Sequence, residues 1–262
     1  MREPKILVWD IETSQSHAKT WGPKWQANLN SIIEDQLILM VGYRWLGDDT
    51  GPQVTSQLDF ARSYRRNRRD DRQLTEFISG LIDEADIIIG QNSDKFDLRV
   101  LQARQLHHRI NKLAPTPSVD VVKVTRKQFK LHSYKLDDVA RFLGLPGKRS
   151  HAGLAMWDAI EEGDLEAWQE MIDYCLRDTA LTEDVYRILR DGGWIDRHPN
   201  LALFTGNLDS CPYCGSSHRH KRGDHVALTR TYQKYQCQNC GGYYRAAKFD
   251  RDTGISTEYR PI

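Results

Sequence analysis

The chain has 262 residues, with 37 Lys+Arg against 36 Asp+Glu for a formal net charge of +1, and is 39% hydrophobic and 28% charged. That length allows one large domain, or a medium domain plus a small one, and that balance excludes a disordered or fibrous chain. The longest apolar run, residues 37–41, is too short to cross a membrane, and an apolar strand beginning at Lys5 leaves no room for a signal-peptide core; a cytoplasmic protein with no membrane partner is expected.

In chain order, residues 5–9 form an apolar run of β-formers, followed at once by Asp10, Ile11, Glu12 and Thr13. Residues 36–46 are a second apolar run, and alternation over 53–60 predicts a third strand. Between the first two lies a polar segment, 14–35, carrying Trp21 and Trp25. Leu74, Phe77, Ile78, Leu81 and Ile82 recur at helical spacing over 73–84. A compact strand at 86–90, a helix over 96–108 and a strand at 118–124 follow. Ser133 can cap a helix reaching Phe142, stopped by Gly144 and Pro146, and a long helix runs from about 164 to 189. Short connections between the first strands predict an antiparallel meander; the later strands, separated by helices, are expected to pair in parallel. The fold class is therefore α/β, a mixed sheet flanked by helices.

Asp191-Gly-Gly-Trp stops the last helix, and Arg197-His-Pro-Asn opens an irregular segment. These features set the expected boundaries: a main domain over 1–196, a linker over 197–208, a small module over 209–250 and a tail over 251–262. Residues 205–262 hold nine Lys+Arg against five Asp+Glu, whereas the rest holds 28 against 31. The near-neutral total is a cancellation between a basic end and an acidic body.

Four of the five cysteines fall in that end as two C-x-x-C pairs, Cys211/Cys214 and Cys237/Cys240, with 22 residues between them. That gap is slightly longer than the usual guide for paired zinc ligands but suits a ribbon hairpin. Glycine after each second cysteine permits a tight turn that offers backbone N–H groups to the sulfurs. With no sign of export, thiolate ligation is favoured over disulfides, and one structural Zn²⁺ is expected in a C-terminal zinc ribbon. The ribbon interleaves Arg219, Lys221, Arg222, Arg230, Lys234, Arg245 and Lys248 with Tyr232, Tyr235, Tyr243, Tyr244 and Phe249, a mixture suited to nucleic acid or to a protein partner.

Three spaced motifs carry carboxylates: Trp9-Asp10-Ile11-Glu12-Thr13, then Gly90-Gln91-Asn92-Ser93-Asp94-Lys95-Phe96-Asp97-Leu98, then Tyr174-Cys175-Leu176-Arg177-Asp178. Asp10 and Glu12, two apart on a strand, share a face, as do Tyr174 and Asp178, four apart on a helix. Taken together, the motifs resemble the Tyr-containing branch of the DEDD 3′–5′ exonucleases, which are ribonuclease-H-like. They are similar to the proofreading domains of family-B DNA polymerases over about residues 5–190. Trp21-Gly-x-x-Trp25 and Pro199-Asn-Leu-Ala-Leu before the four cysteines resemble tailed-phage exonucleases, which would place the chain in a host cytoplasm.

The resemblance implies two Mg²⁺ or Mn²⁺ ions. Asp10 would bridge both, Glu12 and Asp178 would complete the first, Asp97 would serve the second, and Tyr174 would orient the attacking water. Hard oxygen donors suit such ions, and four converging acids could not all stay ionised without them. Asp94 rivals Asp97, but Asp97 directly follows the aromatic; Asp94 reads as a turn or N-cap residue. Cys175 reads as a small packed side chain. Thr13, Trp21, Trp25, Asn92 and Phe96 are candidate substrate contacts, with packing of the tryptophans and a turn role for Asn92 as the alternatives. Arg62, Arg65, Arg66, Arg68, Arg69 and Arg72 form a run read either as a solvated loop or as a phosphate-contacting one.

The expected activity is 3′–5′ hydrolysis of DNA, preferably single-stranded, to 5′-mononucleotides. The setting would be phage or bacterial replication, recombination or repair, with replication or recombination proteins as further partners through the ribbon. An exoribonuclease of the same superfamily, or a non-catalytic zinc-ribbon adaptor that binds nucleic acid, are the alternatives.

Overall fold

The computed structural model describes residues 3–21, 29–147, 153–196, 198–249 and 256–261. Its centre is β1, Ile6–Thr13, whose Leu7, Val8 and Trp9 are all fully buried because the strand is covered on both faces. β1 pairs antiparallel with β4, Ile38–Trp45, which pairs antiparallel with β5, Gln53–Ser56. On its other edge β1 runs parallel to β6, Ile87–Gly90, and β6 parallel to β7, Ser118–Asp120. The result is a mixed five-stranded sheet of order β5-β4-β1-β6-β7. The antiparallel and parallel halves pair as expected, although only β4 and β5 are joined by a short loop; β1 reaches β4 through residues 14–37.

Two layers of helix sandwich this sheet. Leu7, Trp9 and Ile11 meet Leu74, Ile78 and Ile82 of α2, Arg72–Glu84, and Leu101 of α3, Asp97–His108. Ile6 and Val8 face the other way, toward Val139 of α5, Leu136–Phe142, and Val185 and Leu189 of α7, Leu165–Asp191. α7 has 27 residues, capped by the Asp164 carboxylate accepting from Glu166 and Ala167 N–H. No helix among the described residues is long and apolar enough to cross a membrane.

Several elements depart from the sequence reading. The polar segment after β1 holds a hairpin, β2 (His17–Thr20) and β3 (Leu29–Glu34). The third strand stops at Ser56, whose side chain caps a 3-10 turn over Gln57–Phe60 that leads into α1, Ala61–Arg66. The strand expected at 118–124 is three residues long. Asp120 accepts from the N–H groups of Val122 and Lys123 and so starts α4, Val121–Gln128. α6, Leu154–Glu162, was not foreseen.

The arginine run is largely tied into the fold rather than free. Arg68 donates to Glu162 O at 2.7 Å, Arg69 pairs with Glu34 at 3.1 Å, Arg66 with Asp70 and Arg72 with Glu76. Beside them Asp71, fully buried, accepts from Ile38 N and from Arg104 Nε and Nη2.

The segment expected as an irregular linker contains α8, Leu201–Thr205, and the expected tail contains β11, Ser256–Pro261. β11 is the edge strand of a second sheet, β11-β10-β9-β8, with β8 at Arg219–Val226, β9 at Thr231–Cys237 and β10 at Tyr243–Phe249. A module this small cannot form a core from one hairpin, so it recruits the extra strand. Its core is Cys211, Tyr213, Cys237, Cys240, Tyr244, Ala246 and Tyr259. Arg219 is part of that core's lid, its guanidinium 5.3 Å from the Tyr235 ring centre and 4.7 Å from that of Tyr259. Arg219, Tyr235 and Tyr244 are thus spent on packing, which removes them from the set expected to face a partner.

The second sheet is seated on the end of α7. Leu201 N donates to Pro212 O and Asn200 Nδ2 to Tyr259 O. His198, 3% exposed, lies 2.7 Å from both Tyr186 Oη and Pro199 O. The Pro199 carbonyl can only accept, so Nδ1 carries a hydrogen, and in the neutral ring Nε2 accepts from the phenol. Burial pushes the ring's pKa down to about 4.

Candidate functional site

The alternation of β1 decides where its acids go. Asp10 and Glu12 continue the set Ile6, Val8 and so project toward α7. α7 can come close because Asp10 is paired with Gly42 of β4. A Cβ at position 42 would lie 2.2 Å from Thr179 Oγ1 and 2.8 Å from Cys175 Sγ. With glycine there, the helix settles against the sheet and delivers Asp178. One donor atom from each of Asp10, Glu12 and Asp178 lies within 4.8 Å of the others. Three carboxylates this close repel one another unless a cation lies between them, and an all-oxygen set fits Mg²⁺ or Mn²⁺.

Asp97 reaches the same end of the sheet but stands outside that cluster. It is the first residue of α3 and 2% exposed, and its Oδ1 accepts from Ile11 N at 3.0 Å. β6 accompanies β1 only as far as the Val8–Ile89 pair. Beyond it the carboxylate takes the missing strand's place against the β1 backbone, between the two acids of the first motif. Burial pushes the Asp97 pKa up to about 6, against the opposing hydrogen bond from Ile11. Asp94 is engaged elsewhere, accepting from Ser118 Oγ at 2.6 Å and pairing with Lys123.

Tyr174 lies one turn before Asp178, half-buried against the cluster that contains Met40, Met171 and Cys175. Cys175 is fully buried; burial pushes its thiol well above the ordinary range, and the charges of Asp10, Glu12 and Asp178 add to this. It is a packed neutral side chain.

An open cleft of about 570 Å³ adjoins Asp10 and Asp178 and is lined by Gln91, Asn92, Arg126, Tyr134 and Lys135. Asn92 adopts a left-handed conformation, φ 62°, with its N–H held by Asp120 Oδ1 at 3.0 Å. The tight turn also needs Gly90, where a Cβ would lie 2.5 Å from Ser93 Cβ. Asn92 therefore has the turn role and stands on the cleft wall as well. Phe96 is 38% exposed and Trp21 84% exposed, so Trp21 is not packed over the sheet. Thr13 is buried, its hydroxyl accepting from Gln36 and its carbonyl from Trp157 Nε1. Trp25 lies outside the described residues.

Sequence reasoning missed three contributors. Asp120 pins the second motif's turn through the N–H groups of Asn92 and Asp94. Arg126, its guanidinium 5.1 Å from the Tyr134 ring centre, and Lys135 bring exposed positive charge to the cleft. The available signal was Asp-Val-Val-Lys at the end of a short strand, readable as a helix cap.

The four cysteines form a second cluster of potential metal ligands. Cys211 and Cys240 sulfurs are 3.7 Å apart and those of Cys214 and Cys237 3.6 Å, with all four within 4.8 Å. A tetrahedral ion at about 2.3 Å from each sulfur requires sulfur separations of ~3.8 Å, so the set fits Zn²⁺. Two equivalent turns build it. Gly215 N donates to Cys211 O and Gly241 N to Cys237 O, both glycines having φ above +70°. Hydrogen bonds from Cys211 and Cys240 draw the Cys214 thiol well below its ordinary pKa, favouring thiolate.

The chain belongs to the RNase_H superfamily, whose model matches residues 33–190. The match spans Asp97, Tyr174 and Asp178 and begins beyond Asp10 and Glu12. No curated protein matches the chain. Among solved structures it is similar to the family B DNA polymerase from the hyperthermophilic archaeon Pyrobaculum calidifontis. That likeness has a TM-score of 0.50 and 15% identity, and covers 89% of this chain and 32% of the polymerase. The chain thus spans about a third of that protein's length, and the likeness is one of fold.

Proposed function

We propose that the protein is a metal-dependent 3′–5′ exonuclease of the Tyr-containing DEDD branch. It would hydrolyse DNA, preferentially single-stranded, to 5′-mononucleotides in phage or bacterial replication, recombination or repair. The observation that carries this reading is the convergence of Asp10, Glu12 and Asp178 within 4.8 Å beside an open, partly basic cleft. Membership of the RNase_H superfamily supports a nuclease.

Asp10, Glu12 and Asp178 would hold a first divalent ion, with Asp10 and Asp97 holding a second. Such ions supply an activated water and stabilise the leaving 3′ oxygen in phosphodiester hydrolysis. Tyr174, one helical turn from Asp178, would orient that water by hydrogen bonding. Arg126 and Lys135 are placed to meet phosphates, while Phe96 and Trp21 offer faces for terminal bases, each stack worth about 1–3 kcal/mol. Gly42 and Asp120 act through others, the first by admitting α7 and the second by fixing the turn that ends in Asp97.

The test is end-labelled single-stranded DNA with Mg²⁺ or Mn²⁺, run beside RNA of the same sequence. The 3′ label should leave first, as mononucleotide, and DNA should be the better substrate. Normal degradation of a strand with a blocked 3′ end would contradict the polarity.

A further inference from the structure

We propose that the Arg44–Glu183 ion pair is a positioning device, which fixes α7 on β4 in the register that brings Asp178 to Asp10 and Glu12. β4 lies beside β1 with Glu12 opposite Met40, Asp10 opposite Gly42 and Val8 opposite Arg44. Directly opposed residues share a face, so Met40, Gly42 and Arg44 all turn toward α7. Met40 packs in one cluster with Met171 and Cys175. Gly42 faces Cys175 and Thr179, and Arg44 Nε lies 3.0 Å from Glu183 Oε2. The helix residues are spaced four apart, an advance of about 6.0 Å, and the strand residues two apart, about 6.8 Å. β4 therefore touches α7 at matched intervals.

The three contacts differ in kind. Burial of apolar surface is non-directional, so the contacts at Met40 and Gly42 draw the helix in without choosing its rotation. An α-helix turns by about 100° per residue, so a slip of one residue would carry Asp178 away from Asp10. Glu183 supplies the missing direction. It is 3% exposed, and its Oε1 accepts from Arg187 Nε at 2.7 Å, one helical turn on, which leaves Oε2 for Arg44. The pair with Arg44 lacks hydrogen-bond alignment and acts through charge. Asp184, the next residue, also feels Arg44 and Arg187 but is exposed to solvent, and Arg44 Nη2 reaches Asp48 O at 3.5 Å.

Stability does not account for this arrangement. Taking a carboxylate out of water is costly, and apolar residues of similar size in place of a buried ion pair are often neutral or stabilising. What the pair adds is a specific match between one strand position and one helix position. Glu183 stands five residues beyond Asp178, about 7.5 Å along the axis, so one rigid helix conveys that match to the ligand. The inference rests on the metal-site reading of Asp10, Glu12 and Asp178, and adds to it two residues placed outside the cluster.

The experiment compares full-length, zinc-loaded wild type with Arg44→Met/Glu183→Met, Glu183→Gln and Arg44→Lys. Mn²⁺ affinity is followed by electron paramagnetic resonance, stability by urea unfolding, and kcat and KM with single-stranded DNA and Mg²⁺. Because a displacement of about 1 Å can cost about 10²-fold, the double variant should bind Mn²⁺ at least about ten-fold more weakly and lose kcat by a similar factor. Its unfolding midpoint should equal or exceed that of wild type, and KM for DNA should change little. Arg44→Lys, which keeps the charge, should retain most of the Mn²⁺ affinity and kcat. Glu183→Gln, nearly isosteric, should fall between the two, and it serves as the test should the double variant not fold. Unchanged Mn²⁺ affinity in folded variants would overturn the proposal. So would affinity lost only together with stability, and equally in Arg44→Lys, which would make the pair an element of stability alone. Wild type that binds Mn²⁺ yet hydrolyses neither DNA nor RNA would sink the exonuclease reading, and the Mn²⁺ titration would still decide this one. Wild type without Mn²⁺ binding would overturn both.

Discussion

The two ligand clusters follow opposite plans. The cysteines lie in two similar turns between residues 211 and 240, and their core is little more than the metal's own surroundings. The carboxylates of the cluster come from residues 10, 12 and 178, with Asp97 beside them, held by a sheet and helices with large apolar cores on both faces. The first site makes its fold; the second is made by one. That contrast teaches where each is vulnerable: the thiolate site to loss of its ion, the carboxylate site to small shifts between distant elements.

The largest effect that sharpens the contrast is Cys211→Ser, or removal of zinc. Because a four-thiolate site contributes folding energy outright, residues 209–261 should unfold and become open to limited proteolysis. The sheet and α7 should retain their far-UV dichroism. A protease-resistant ribbon without zinc would break the comparison.

Next comes Gly42→Ala, which touches no proposed ligand. The added methyl must push Cys175 and Thr179 away, moving Asp178 from Asp10. A displacement near 1 Å can cost about 10²-fold, so kcat should fall by about that factor while the ribbon keeps its zinc. Full activity would show that α7 is not placed by this contact.

The smallest effect lies at the joint between the regions. The folded pKa of His198 is depressed to about 4 from 6.5, so its contribution is present above pH 6.5 and is lost as pH falls toward 4. Unfolding free energy should drop by about 2 kcal/mol between pH 7 and 5 through this residue, at ~1.4 kcal/mol per unit. His198→Asn should abolish that part of the slope in a denaturant series.

Local chemistry was legible in the sequence, and tertiary chemistry was not. Asp10 with Glu12, Tyr174 with Asp178, and both Cys pairs are short-range patterns with fixed periodicity. The mixed sheet could be read because its strands were apolar and its helices periodic. Asp120 was hidden because β-branched Val121 and Val122 after it extended a strand pattern, although its carboxylate starts a helix. The β2–β3 hairpin lacked apolar alternation. The arginine run looked available because Glu34 and the Glu162 carbonyl lie far away in sequence. Arg219 looked like a surface cation, yet two tyrosine rings enclose it. Gly42 carried no visible signal, since its role depends on the register of a helix more than 130 residues later.

The central claim is that the carboxylate cluster, and not the ribbon, holds the working divalent ions. Mn²⁺ binding to the zinc-loaded protein, followed by electron paramagnetic resonance with zinc counted in the same samples, tests it most directly. Wild type should bind Mn²⁺ saturably, and Asp178→Ala should lose that binding while keeping one zinc per chain. Equal Mn²⁺ binding by both proteins, or none by wild type, would contradict the account.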